Sequence, residues 1–146
     1  MLVALAAPVA AADAGGHRYV SARGSDRNPC TRSKPCRSLD RAYRKAKPGQ
    51  VVVIRKGSYR GQRIRFDRRK RSGRKVVFRL ARGAGVVVRG DLEVFARHVE
   101  FRGLRVGSWS AVAPASDVVF RSVRSGRFVV AGARRVRVLD GSVGPS

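Results

Sequence analysis

Apolar and polar residues alternate along most of this chain, and beyond Pro48 the alternation has a period of two. Glycine or charged residues separate the short alternating runs, which is typical of β-strands joined by turns. We therefore expect an all-β fold over 51–146. The predicted inward-facing residues are Val52, Ile54, Tyr59, Ile64, Phe66, Val76, Phe78, Val86, Val88, Leu92, Val94, Val99, Phe101, Leu104, Val106, Val118, Phe120, Val123, Phe128, Val130, Val136, Val138 and Val143.

One short strand sequence occurs three times in the second half of the chain. HVEFRGLRVG at 98–107 is nearly repeated as DVVFRSVRSG at 117–126 and more loosely as RVRVLDGSVG at 135–144. Apolar anchors recur at steps of about 20 residues, and units this short must stack to bury their apolar faces. We expect a β-solenoid, because the alternative, a β-sandwich, does not normally repeat one sequence at a constant step. The expected anchors are Val52, Val76, Val99, Val118 and Val136.

A single helix is predicted before the strands. Ser38 can cap its N-terminus, and Leu39, Ala42, Tyr43 and Ala46 form an apolar stripe at helical spacing. The sequence Lys-Pro-Gly at 47–49 then ends the helix. We expect it to lie on the core within an N-terminal cap that spans 15–50.

The first residues have the outline of a secretory signal peptide. An apolar run of small residues at 2–12 leads to an A-x-A site at 12–14, so we expect 1–14 to be removed on export. The run is too short to span a membrane, and a disordered Ala-rich tail is the alternative. Export predicts a secreted or cell-surface protein, and no membrane span is expected.

The sequence contains two cysteines, Cys30 and Cys36. An exported protein meets an oxidising compartment, so we expect the two to form a disulfide that fixes an N-terminal loop. Metal binding is disfavoured because no further ligand lies at suitable spacing, and neither histidine has an evident relation to the cysteines.

The charge is extreme, since 33 basic residues stand against 9 acidic ones, for a net charge of +24. Such a surface attracts polyanions, and nucleic acid, anionic lipid and acidic polysaccharide are all candidates. An arginine-rich composition that follows only from GC-rich coding is the alternative. Export and the lack of an aromatic stacking platform argue against a specific nucleic-acid partner. The dense run RFDRRKRSGRK at 65–75 is predicted to be a solvated loop between strands.

The segment 19–62, YVSARGSDRNPCTRSKPCRSLDRAYRKAKPGQVVVIRKGSYRGQ, resembles the opening of the pectate-lyase-like superfamily. Proteins of that superfamily are right-handed parallel β-helices with one short N-terminal capping helix. VVFRLARGAGVVVRG and HVEFRGLRVG resemble the first coils of its chondroitinase B and alginate lyase branch. The resemblance implies a right-handed parallel β-helix, and its motifs indicate fold more than function. Such lyases have many more coils, so we expect the chain to be the N-terminal part of a longer protein.

The resemblance implies a polyuronate lyase that works by β-elimination. In such enzymes a cation neutralises the sugar carboxylate, a Lys or Arg base removes the adjacent proton, and calcium often supplies the cation. No residue here matches a family catalytic motif, so the catalytic residues are unknown and are either absent or lie beyond Ser146. No cofactor is expected within this segment, although calcium is possible in the full-length protein. The acidic residues look too scattered to hold a metal: Asp91, Glu93, Glu100, Asp117 and Asp140.

Aligning the repeats stacks Arg102 with Arg121 and Arg105 with Arg124. Two columns of guanidinium groups on the outside of successive coils would suit a uronate or sulfate chain, so these four residues are the predicted substrate-binding site. Side chains splayed into solvent are the alternative. Trp109 is predicted to lie in a loop and to cover the edge of the core, with sugar stacking as the alternative. The partner is expected to be an anionic polysaccharide and the protein a monomer, either a lyase or a non-catalytic surface solenoid.

Overall fold

A computed structural model describes residues 16–144. The predicted signal peptide at 1–14 lies outside the described residues. Strands account for 52% of the described residues and helix for 5%, so the fold is mostly β, as expected. In chain order the elements are β1 (Arg18–Val20), α1 (Leu39–Lys45), β2 (Val51–Ile54), β3 (Gly57–Ile64), β4 (Val76–Leu80), β5 (Val86–Val94), β6 (Arg97–Arg102), β7 (Arg105–Val112), β8 (Ser116–Arg121), β9 (Arg124–Ala131), β10 (Arg134–Leu139) and β11 (Ser142–Val143).

The strands form two sheets in which all neighbouring strands are parallel. The first sheet has the order β1-β2-β4-β6-β8-β10, and the second has the order β3-β5-β7-β9-β11. From β2 onwards the chain alternates between them, so that one strand of the first sheet and the next strand of the second form a repeat unit. Successive repeat units pair only with their neighbours, which is the arrangement expected of short units that cannot bury an apolar face alone.

The predicted anchor register is confirmed for four of its five residues. Val76 pairs with Val99, Val99 with Val118, and Val118 with Val136. The predicted pairing of Val52 with Val76 is wrong, because Val52 pairs with Phe78, two residues beyond Val76. Since side chains alternate with a period of two, a shift of two residues leaves both partners facing inward, so the pattern alone could not detect it.

Aromatic rings stack through the core between the sheets. The ring centroids of Phe78 and Phe101 lie 5.1 Å apart, and those of Phe101 and Phe120 lie 5.4 Å apart. Trp109 stacks on Phe120 at 3.8 Å and on Phe128 at 4.7 Å. The predicted loop position of Trp109 is therefore wrong: the residue lies within β7 and is buried.

Several residues predicted to face inward are exposed. Phe66 lies in the loop after β3, Phe128 and Val130 lie on β9, and Val138 and Val143 lie on β10 and β11. Within residues 16–144 no further strand covers β10 or β11. The residues on β9 to β11 therefore pack against a neighbouring repeat unit on one side only, as Phe128 does on Trp109.

Helix α1 lies against β1 and β3, which are the strands at the other edge of each sheet. As predicted, Ser38 caps it, and its hydroxyl accepts a hydrogen bond from the Arg41 amide at 3.1 Å. The Leu39 amide donates to Gln62 Oε1 at 3.0 Å, and the Tyr43 hydroxyl donates to the Arg97 carbonyl at 2.7 Å. Burial raises the pKa of Tyr43 to about 12. The helix thus covers one end of the stack through its predicted apolar stripe.

The disulfide between Cys30 and Cys36 is confirmed. Both cysteines are fully buried, and the loop between them follows a turn that contains Asp26. Its carboxylate accepts hydrogen bonds from the Arg37 amide at 2.9 Å, the Ser38 amide at 2.8 Å and the Ser38 hydroxyl at 2.7 Å. The disulfide and the aspartate together connect the loop to the start of the helix.

The charged run at 65–75 forms a loop between β3 and β4, as predicted, but the loop is not simply solvated. Asp67 and Lys70 are buried and 3.4 Å apart, and a hydrogen bond from Arg69 holds the pKa of Asp67 well below its usual range. The Lys70 ammonium also donates to the Arg44 carbonyl at 3.2 Å, near the C-terminus of α1. The loop therefore packs on the helix through a buried ion pair, which charge density alone did not indicate.

Ser125 is a buried polar residue at a position that is otherwise apolar. Its register partners are Val106 and Val143, and its hydroxyl has no hydrogen-bond partner among residues 16–144. We expect Ser125→Val to raise the free energy of unfolding by about 1 kcal/mol, because it removes an unsatisfied buried hydroxyl. Urea unfolding would measure the change, with Ser110→Val on the outer face of β7 as the control. A loss of stability in Ser125→Val would contradict this account.

Candidate anion-binding groove

The predicted arginine columns are present in the register of the strands. Arg102 pairs with Arg121 between β6 and β8, and Arg105 pairs with Arg124 between β7 and β9. In the next repeat unit Leu139 follows Arg121 and Ser142 follows Arg124, so the columns end there, as expected. Since parallel neighbours lie about 4.8 Å apart, each column brings two guanidinium-bearing residues close together.

The column on the first sheet is neutralised by the protein itself. Glu100 Oε2 accepts a hydrogen bond from Arg102 Nε and lies 3.6 Å from Arg121 Nε. Glu100 is two residues before Arg102 on the same strand, so both side chains leave the same outer face. Glu100 lies in β6 and is only 7% exposed. Arg102 and Arg121 therefore already share a carboxylate.

The column on the second sheet borders an open groove. The groove has a volume of about 720 Å³ and crosses the first residues of four successive strands, β5, β7, β9 and β11. Arg105 and Arg124 line it together with Arg89, which the sequence prediction did not include. Among residues 16–144, none of these three arginines forms a salt bridge, and the groove lining contains no acidic residue. The groove is therefore a concentrated positive site.

Glycines form the floor of this groove. Gly107 and Gly126 each lie two residues after a groove arginine and belong to the lining, as does Gly90. A Cβ atom at Gly107 would lie 2.8 Å from the Gly90 carbonyl oxygen, and one at Gly126 would lie 3.1 Å from the Gly107 carbonyl oxygen. The close approach of the strands requires glycine here, so neither position carries a side chain beside the groove arginines.

The sequence contained a signal for the groove that the prediction did not use. Arg105 and Arg124 both begin an R-x-G triplet, RVG and RSG, whereas Arg89 is followed directly by Gly90. The register is irregular between Val88 and Asp91, and Val87, not Arg89, is the residue opposite Arg105. Arg89 therefore lines the groove but lies outside the column of Arg105 and Arg124, where the repeat spacing could not place it.

A second polar cluster lies on the outer face of the first sheet. The Asp117 carboxylate lies 2.8 Å from His98 Nδ1 and 3.2 Å from the Lys75 ammonium. Burial alone would raise the pKa of Asp117, but hydrogen bonds from His98 and Lys75 outweigh it and place the pKa below its ordinary value. The repeat alignment set His98 under Asp117 and could have identified the pair. The cluster joins three successive strands of the sheet.

Other kinds of site are not found in the described part of the chain. Over residues 16–144 no three His, Cys, Asp or Glu side chains are grouped so that they could hold a metal ion. Trp109 is buried between two phenylalanines and cannot stack on a sugar. Helix α1 is far too short to cross a membrane, and no longer apolar helix occurs in the same region.

Comparisons with known proteins add one relative. No family model matches the chain, and no solved structure matches it. Over 77 residues the chain is 36% identical to "Uncharacterized protein YwoF" of Bacillus subtilis (strain 168). The matched region is 53% of this chain and 16% of the relative, so the chain is similar to a small part of a much longer protein.

Proposed function

We propose that this chain is part of an exported right-handed parallel β-helix that binds anionic polysaccharide in the arginine groove. The two parallel sheets with alternating strands support the β-helix, since crossover connections between parallel strands are right-handed in almost all proteins. The short helix at one end of the stack supports the N-terminal cap that the resemblance to pectate-lyase-like proteins implies. Secretion or a cell-surface location remains part of the proposal.

The observation that carries this function is a set of arginines over a glycine floor that form no salt bridge within residues 16–144. Arg89, Arg105 and Arg124 line one groove whose described lining contains no acidic residue. Guanidinium groups bind carboxylates and sulfates through paired hydrogen bonds, so an acidic polymer would fit this lining. The groove contains no aromatic side chain, and stacking on single-stranded bases would need one. Acidic polysaccharide is therefore favoured over nucleic acid.

A lyase activity is a second candidate that the same groove supports. β-Elimination from a uronate requires a positive group that neutralises the sugar carboxylate before the adjacent proton is removed. The groove arginines would supply that neutralisation. The catalytic base of such a lyase stays a prediction for residues outside the described region, as does calcium. The alternative to a lyase is a module that binds the polysaccharide without cleaving it.

Binding of polygalacturonate to the folded chain tests the proposal. We expect the triple variant Arg89→Gln, Arg105→Gln, Arg124→Gln to bind at least about tenfold more weakly at physiological salt, since charge-assisted hydrogen bonds are lost. The matched control is Arg23→Gln, Arg27→Gln, Arg82→Gln, which removes the same charge from exposed residues outside the groove.

The control distinguishes a site from general attraction. Equal weakening in the two triple variants would show that only the net charge matters, and it would contradict the groove. Uncharged dextran should not bind to any of the proteins. Isothermal titration calorimetry at two salt concentrations would give the affinities and their salt dependence.

A further inference from the structure

We infer that a carboxylate of the bound polymer binds in the groove between Arg105 and Arg124, as the Glu100 carboxylate lies between Arg102 and Arg121. We call this position between Arg105 and Arg124 the seat. The inference rests on the proposed function and narrows its ligand to a polyuronate. It assigns the two arginine pairs different roles: one holds the fold together, and the other binds the ligand.

The first sheet supplies an internal template for this seat. Arg102 and Arg121 are direct neighbours in the register, and a single carboxylate oxygen of Glu100 lies near the Nε atoms of both. Two stacked positive groups repel each other unless an anion lies between them or water screens them. Here the buried Glu100 carboxylate lies near both guanidinium groups. A carboxylate therefore fits between arginines on neighbouring strands.

The second sheet has the same arginine arrangement without the carboxylate. Arg105 and Arg124 are again direct neighbours in the register, and both are exposed. The residues two positions before each arginine, where Glu100 stands relative to Arg102, are Gly103 and Ser122. Neither carries a carboxylate, so this pair has no acidic neighbour equivalent to Glu100.

The other neighbours of the pair do not fill the seat either. Val87 lies under Arg105 in the column, and Ser142 lies over Arg124. Neither can neutralise a guanidinium, and both line the groove. An external carboxylate, whose two oxygens can each accept from one guanidinium, completes the arrangement found around Glu100.

A carboxylate added at Val87 tests the seat without removing an arginine. Val87 is 37% exposed and pairs with Arg105, so Val87→Glu would place an intramolecular anion beside that guanidinium. We expect it to weaken oligogalacturonate binding at least about tenfold, because the seat is already neutralised. Val87→Gln introduces a side chain of the same size as Val87→Glu without the charge, so it should bind at least about tenfold more tightly than Val87→Glu. Ser142→Glu and Ser142→Gln repeat the comparison at Arg124.

The outcomes separate this inference from the proposed function. If oligogalacturonate binds to the parent chain but Val87→Glu and Ser142→Glu bind as their glutamine counterparts do, the seat is wrong and the polysaccharide function stands. If dextran sulfate binds more tightly than oligogalacturonate and responds to the same variants, the seat exists but the carboxylate assignment is wrong. If no acidic polysaccharide binds to the parent chain, the proposed function itself fails.

Discussion

Replacement of Trp109 by alanine is expected to lower the free energy of unfolding by about 3–5 kcal/mol, the range typical of large-to-small changes at buried aromatic residues. Trp109 is almost fully buried, and it lies between Phe120 at 3.8 Å and Phe128 at 4.7 Å. Its removal leaves a cavity between two repeat units and also interrupts the contact with Phe120. Since domains are stable by only about 5–15 kcal/mol, this variant should be close to unfolded.

Urea unfolding followed by circular dichroism would measure the loss. Phe128→Ala is the matched control, because Phe128 belongs to the same stack but is 44% exposed, so its truncation should cost clearly less. Trp109→Phe keeps an aromatic ring and should fall between the parent chain and Trp109→Ala. Equal losses for Trp109→Ala and Phe128→Ala would contradict the position of Trp109 in the core.

Gly24→Ala is expected to destabilise the chain by about 3 kcal/mol, at the upper end of ordinary overpacking. A Cβ atom at Gly24 would lie 2.4 Å from the Cys36 carbonyl oxygen and 2.7 Å from the Pro35 carbonyl oxygen. Both obstacles are backbone atoms, and Cys36 is held in place by the disulfide. The added methyl group therefore cannot be accommodated by a side-chain rotation, and the cap must shift as a whole.

Thermal unfolding of Gly24→Ala would test this, with Gly85→Ala as the matched control. A Cβ atom at Gly85 would meet nothing within 4 Å, and its backbone needs no left-handed conformation. The control should change the stability little, since it removes only backbone freedom in the unfolded chain. If Gly24→Ala unfolds at the temperature of the control, the turn before the disulfide loop is packed differently.

Much of the fold could be predicted because the sequence repeats itself in register. HVEF at 98–101 and DVVF at 117–120 align without a gap, and equivalent residues of the two repeats are register partners on neighbouring strands. The prediction failed where the repeat is irregular. Val52 precedes the loop at 65–75, and a shift of two residues at this step preserves the alternation that the prediction used.

The candidate site could be predicted only in part. Stacking of Arg102 on Arg121 and of Arg105 on Arg124 followed from the repeat, and the described register agrees with it. The difference between the two arginine pairs did not follow from the repeat, because it depends on the burial of Glu100 and on which arginines its carboxylate reaches. Sequence spacing gives the order of residues along a column, whereas the neutralisation of a charge depends on side-chain orientation in three dimensions.

The two ends of the stack differ, and this difference has a consequence for local opening. At one end α1 and the disulfide loop cover β1 and β3, whereas at the other β10 and β11 have no covering strand within residues 16–144. In an array held together by nearest-neighbour contacts, the least-covered unit opens at the lowest free energy. Within residues 16–144, amide hydrogens should therefore exchange fastest in β10 and progressively more slowly through β8 and β6, so that local opening begins at the end of the described stack that lies opposite α1.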